Sequence, residues 1–267
     1  MQIHSLYRYP VKSLEGQSLP SLEPAVRGFQ DDRRWMFVLP NGKFISRRSA
    51  PSLARFAAEV HGDDLHFVRA SDGETVGAVA GARNGTKSIA VTVWDDQFRA
   101  TLIDFPGLEQ LTATLGIPGA RLVYMGPADI RPVDVRYAAP GDEVSFADGF
   151  PYHLITTASL RVLAERLGTP DLSILRFRPN IVVDTDEAFS EDHWRALHIG
   201  EHHFRVPKPC ARCSMVSQRP GSGESDLKVL AELAKFRKFG NKVLFGMDAC
   251  WEGGTGPVVV GDLVREA

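Results

Sequence analysis

Cysteine is scarce in this sequence: 267 residues hold three, two of them spaced as Cys210-Ala211-Arg212-Cys213 and the third at Cys250. An odd, sparse set is no disulfide framework of a secreted domain, and in a reducing compartment such thiols stay free for chemistry or metal. Long apolar runs are missing as well. No stretch reaches the roughly 18 uninterrupted apolar residues of a spanning helix, and Met1-Gln2-Ile3-His4-Ser5-Leu6-Tyr7 has no basic and apolar regions of a signal peptide. A soluble, cytoplasmic protein without a membrane partner is expected. Nor does one charge dominate. With 31 Lys and Arg against 33 Asp and Glu, the formal net charge is −2. General electrostatics therefore gives no reason to expect nucleic acid as a partner, and any basic site must be local.

Several signatures are absent. There is no Walker A sequence, no H-E-x-x-H and no G-x-S-x-G, and Gly221-Ser222-Gly223 lacks the third glycine of a dinucleotide loop. Nucleotide hydrolysis, zinc peptidase and serine hydrolase chemistry lose their usual signals. The eight histidines show no ligand spacing, and neighbours such as His202 and His203 point to opposite faces of a strand.

What is present reads as a globular chain, with 43% apolar and 24% charged residues, sized for one large domain or two packed ones. Strands are predicted for the first ten residues up to Pro10, then over 34–39, 65–69, 88–94, 98–103 and 121–124. Asn41-Gly42 signals a hairpin. Helical spacing occurs only over 52–60, 108–115, 158–167 and 227–239; in the third, Leu160, Leu163, Ala164 and Leu167 share a face and Gly168 ends it. Helices that are few and scattered do not make a βαβ rhythm. The expected class is mainly β with peripheral helices, α+β, as a mixed β-barrel packed on an N-terminal β-domain. The irregular 131–141 segment joins the halves, and the boundary is set near residue 120, giving 1–120 and 121–267.

Three constellations could carry chemistry. In Lys208-Pro209-Cys210-Ala211-Arg212-Cys213 the thiols have cations beside them, which favours thiolate and soft-metal binding. Zinc would need a second cysteine or histidine pair, a redox dithiol would need a βαβ setting, and buried structural cysteines are a third reading. In Arg176-Phe177-Arg178-Pro179-Asn180-Ile181-Val182-Val183, strand alternation would put Arg176, Arg178 and Asn180 on one face, suited to a phosphate or a heterocycle edge; a solvated sheet edge is the bland reading. Tyr9-Pro10-Val11-Lys12-Ser13, Arg33-Arg34 and Arg47-Arg48 add strand-end donors, each alone an ordinary surface charge.

Taken in order, Tyr9-Pro10-Val11-Lys12-Ser13, Asp32-Arg33-Arg34-Trp35, Phe177-Arg178-Pro179-Asn180-Ile181, Cys210-Ala211-Arg212-Cys213 and the closing Val260-Gly261-Asp262 resemble the MOSC proteins over nearly the whole chain. The subgroup they resemble most is the mitochondrial amidoxime-reducing component with its bacterial relatives. The resemblance implies a molybdenum cofactor (molybdopterin with Mo), with Cys213 as the thiolate ligand and catalytic residue. It implies that Lys12, Ser13 and Arg33 hold the phosphate end of the pterin and that Arg178 and Asn180 contact the cofactor. Arg48, Thr157, Ser159 and Arg212 are carried over as further contacts. Two positions depart from the family: Ala211 stands where animal relatives carry serine, and Asp248 falls near a family tyrosine. The implied activity removes oxygen from N-hydroxylated small molecules such as amidoximes, hydroxylamines or N-hydroxylated bases. Two electrons and two protons are consumed and water is released, with a ferredoxin or cytochrome b5-type donor and its reductase supplying the electrons. MOSC domains also resemble the C-terminal part of molybdenum-cofactor sulfurases, so a cofactor or sulfur carrier using Cys213 is the alternative.

Overall fold

The first strand, Gln2–Arg8, buries Ile3 and Leu6 in the core, three residues apart because its pairing slips by one between Ile3 and Ser5. The structure is a computed structural model and describes residues 1–85 and 87–267. Among the described residues the strands fall into four sheets, with three α-helices packed outside them. The fold is mainly β with peripheral helices.

The largest sheet runs in the order Val264–Glu266, Ala196–Ile199, His202–Arg212, Lys242–Gly253, Tyr152–Thr156, Ile181–Asp184, Gln2–Arg8, Gln17–Leu19, with Lys238–Phe239 pairing beside Lys242–Gly253. Only Tyr152–Thr156 and Ile181–Asp184 pair in parallel, and the helix Thr157–Leu167 supplies the crossover that a parallel pair needs. The regular ladders of this sheet do not close into the expected barrel. Its far sides meet through an isolated bridge, Gln2 to Leu263, so the sheet curls on itself without continuous pairing. A second sheet orders Trp35–Val38, Arg121–Tyr124, Asp96–Ile103 and Lys87–Val93, and a third is the meander Phe56–His61, Asp64–Arg69, Thr75–Val79. Gln2–Arg8 thus lies in the sheet of the second half, and Arg121–Tyr124 pairs with strands of the first.

The two largest apolar clusters among the described residues follow from this arrangement. One gathers Trp35, Phe37, Phe67 and Leu122; the other gathers Tyr152, Trp194, Phe204 and Met247 beneath the large sheet. At roughly 25 cal/mol per Å² of apolar surface removed from water, such clusters supply the main driving force for folding.

Two helical expectations change. Residues 52–60 begin as a 3-10 turn, Pro51–Arg55, and continue as the strand Phe56–His61, because pairing with Asp64–Arg69 takes up its backbone groups. The 227–239 helix is shorter, Val229–Phe236, and ends in the strand Lys238–Phe239. Asn41-Gly42 does turn the chain: Gly42 has φ 83°, and a Cβ there would lie 2.2 Å from the Ala90 carbonyl oxygen.

Candidate functional site

One cleft is lined from both halves of the chain, by Lys12, Ser13, Arg33 and Arg48 on one side and Arg178, Asn180, Arg212 and Cys213 on the other. Eight of the ten residues named from sequence therefore converge. Thr157 and Ser159 do not line the cleft. Thr157 Oγ1 donates to Asp184 at 2.6 Å. Ser159 is buried in the helix N-terminus, donating to Glu191 at 2.9 Å and accepting from the Phe189 backbone at 2.7 Å. Both serve the helix cap and its neighbouring loop rather than the cleft.

The site sits where strands end or slip. Opposite Lys242–Gly253, the strand His202–Arg212 changes register: Pro209 faces Met247 but Ala211 faces Leu244. The extra residue lies on the partner strand, where Gly246 has φ 74°, and the slip comes just before the second cysteine. Cys213 then leaves the sheet, exposed, at the start of the 3-10 turn Ser214–Ser217. Cys210 is half-buried and Cys250 buried, and burial pushes both thiols up to about 12. The two cysteines of the pair are thus unequal, and the second is the accessible one.

Backbone strain gathers at the same place. Six non-glycine residues have positive φ among the described residues; Ser13 (73°), Arg33 (49°) and Arg178 (54°) line the cleft, and Trp94 (56°) stacks on Arg48 with the guanidinium carbon 4.0 Å from the ring centre. Such conformations cost of order 1–3 kcal/mol each and concentrate at functional sites. Arg178 shows why strand alternation fails here: Ile174–Arg176 is a 3-10 turn and the strand begins only at Ile181. Arg176, Arg178 and Asn180 reach one cleft through that turn and the left-handed Arg178, and not through a shared strand face.

The charges are unevenly matched. Lys12, buried, donates to the Phe146 carbonyl at 2.7 Å and to Asp148 at 2.6 Å, and burial holds its pKa below the usual lysine value. Arg33 pairs with buried Asp32 at 2.6 Å, and Arg176 with Asp226 at 2.9 Å. Arg48, Arg178 and Arg212, by contrast, have no carboxylate partner among the described residues. Arg33 and Arg178 lie on the Tyr9 ring, each with its guanidinium carbon 4.3 Å from the ring centre. Burial, with Arg47 and Arg33 close by, lowers the Arg178 pKa to about 9. Protonated guanidiniums crowded this way call for an anion.

Sequence reasoning did not single out Asp148 and His153. Both line the cleft, but they lie in a bend and on a fully buried strand, where no periodic signal marks them. Arg176, grouped from sequence with Arg178 and Asn180, lines it too. The donor set fits a phosphate-bearing pterin cofactor whose metal would take a thiolate: unmatched guanidiniums, an amide, an ammonium and an exposed cysteine. Buried donors without a protein partner, Arg212 Nε and Arg176 Nε and Nη1, point the same way.

Residues 1–104 match the MOSC N-terminal beta barrel domain and residues 141–265 match the MOSC domain. The molybdenum cofactor sulfurase of Drosophila grimshawi is 28% identical over 260 residues, covering 92% of this chain and 31% of that protein. The chain thus spans about a third of the sulfurases it matches. Human mitochondrial amidoxime-reducing component 1 is 26% identical over 284 residues, covering 98% of this chain and 82% of that protein. The chain belongs to the MOSC family, with the N-terminal domain and the MOSC domain in one polypeptide.

Proposed function

We propose that this protein is a molybdenum-cofactor-dependent reductase of N-hydroxylated compounds. The observation that carries the reading is the presence of three guanidiniums without carboxylate partners, Arg48, Arg178 and Arg212, in one cleft with the exposed thiol of Cys213. Lys12, Ser13, Arg33, Arg178 and Asn180 would hold the phosphate and pterin, Arg48 and Arg212 would complete the charge, and Cys213 would be the ligand to molybdenum. When bound, the cofactor supplies two-electron chemistry at a metal able to accept oxygen. The protein's part is to fix the anion through pre-aimed donors and to present the thiolate at a rim open to small substrates.

Reduction of an N–OH group to N–H takes two electrons and two protons and releases water. The electrons are assigned to a separate carrier, a ferredoxin or cytochrome b5-type protein with its reductase. Among the described residues no helix is long and apolar enough to cross a membrane, and the three cysteines are free thiols, which fits a reducing cytoplasm.

A carrier of cofactor or sulfur is the second reading, favoured by the match to the sulfurases. One experiment separates the two. Metal and pterin are quantified in the purified chain, and benzamidoxime reduction is followed with a chemically reduced donor. Turnover that is abolished by Cys213→Ser while pterin stays bound supports the reductase. Stoichiometric cofactor without turnover supports the carrier, and absence of molybdenum and pterin from molybdenum-replete cells overturns both.

A further inference from the structure

Cys210 has no part in the chemistry proposed above, yet its surroundings are specific. Cys210 and Arg212 lie two apart on one strand, so their side chains emerge on the same face. Arg212 Nη1 is 3.1 Å from Cys210 Sγ and 3.0 Å from His153 Nε2, while Nη2 donates to the Phe177 carbonyl at 2.7 Å. His153 Nδ1 lies 3.2 Å from the Met247 carbonyl oxygen, which can only accept. The ring proton therefore belongs on Nδ1, leaving Nε2 to accept from the guanidinium. Three acceptors, from two strands and the turn before a third, fix one planar cation next to Cys213.

His153, Cys210 and Asp248 also offer three ligand atoms within 4.8 Å of one another, the dimensions of a metal site. The charges argue against a metal there. Arg212 already occupies both His153 Nε2 and Cys210 Sγ, and Asp248 is paired with Lys208. A divalent cation would have to displace two resident cations to reach the same atoms.

We propose that Cys210 is a positioning residue for Arg212: its sulfur and the His153 imidazole hold the guanidinium in the cleft, beside Cys213. The first cysteine of the pair is then neither a metal ligand nor half of a dithiol. The functional part of this inference rests on the cleft being an anion-binding cofactor site; the contact itself does not.

The test is a double-mutant cycle on the full chain with Cys210→Ala and Arg212→Leu, read by affinity for inorganic phosphate and by thermal unfolding. With Arg212 present, Cys210→Ala weakens phosphate binding about 5- to 10-fold and lowers the melting temperature by about 2–4 °C; in the Arg212→Leu background it does neither. Cys210→Ser, which keeps an acceptor, recovers most of both. Equal losses in the two backgrounds overturn the proposal. So does stoichiometric zinc uptake by Cys213→Ala that disappears when Cys210→Ala is added. If the wild-type chain binds neither phosphate nor pterin, the reading of the cleft fails, and the thermal cycle alone still decides whether Cys210 acts through Arg212.

Discussion

Arg33 donates through Nη1 to the side-chain carbonyl of Asn180 at 2.8 Å, joining residues 147 positions apart. The same Asn180 oxygen accepts the His153 backbone N–H at 3.3 Å, and its amide nitrogen donates to the Tyr7 carbonyl at 3.2 Å. One side-chain amide thus ties a left-handed turn of the first half to the two strands of the large sheet that flank Ile181–Asp184. Asn180→Ala should cost roughly 1–3 kcal/mol, the price of leaving buried donors unmet. Arg33→Ala should cost more, about 3–5 kcal/mol, because it strands the Asp32 carboxylate, whose side chain is 0% exposed. Urea unfolding midpoints check the order, and a milder effect for Arg33→Ala would contradict the account.

Much of this cleft was legible because its donors come in compact, ordered motifs, yet the geometry that unites them was not. Lys12, Ser13, Arg33, Arg178, Asn180, Arg212 and Cys213 could be named from local sequence. Asp148 and His153 could not, since a carboxylate in a turn and a histidine on a fully buried strand look like many others. The strands nearest Cys213 were also missed: Pro207 and Pro209 interrupt the pattern of His202–Arg212, and a slipped register hides the period of Lys242–Gly253. The strand Phe56–His61 misled for the opposite reason. Its short apolar set, with Phe56 and Ala58 buried, fits either period, and only pairing with Asp64–Arg69 decides between them.

Ser159 separates a cap from a cofactor contact. Thr156 caps the helix Thr157–Leu167 by accepting from the Ser159 backbone N–H, and its hydroxyl donates to Ser159 Oγ at 2.8 Å. Ser159→Ala should therefore lower stability by about 0.5–2 kcal/mol while pterin content and phosphate affinity stay at the wild-type level. Loss of bound pterin at unchanged stability would return Ser159 to the cofactor.

The thiols should react in a fixed order. Cys213 is exposed, whereas burial raises Cys210 and Cys250 to about 12, so few of their thiolates exist at pH 8. Brief iodoacetamide treatment of the folded chain at pH 8, followed by peptide mass spectrometry, should label Cys213 and leave the other two. Labelling of Cys210 at a comparable rate would show that its thiol is neither buried nor held.

His153 should give the fold an acid-sensitive step that begins near neutrality. Burial first, and then the Arg212 charge, hold its pKa well below the ordinary 6.5, and its neutral ring is the acceptor for Arg212. Below pH 6.5 the unfolded chain therefore takes up a proton at this residue that the folded chain refuses. Stability falls as pH drops from 6.5 toward the lowered folded value, with a slope of up to about 1.4 kcal/mol per pH unit, and is fully present above 6.5. Glutamine can still accept from the guanidinium but does not titrate, so His153→Gln should flatten that slope and leave stability at pH 8 less affected. Unfolding free energies at pH 8, 6 and 5 for both proteins provide the check. Curves that stay parallel over this range would mean that His153 titrates freely in the folded state, and the tautomer assigned to it, with Nε2 accepting from Arg212, would have to be abandoned.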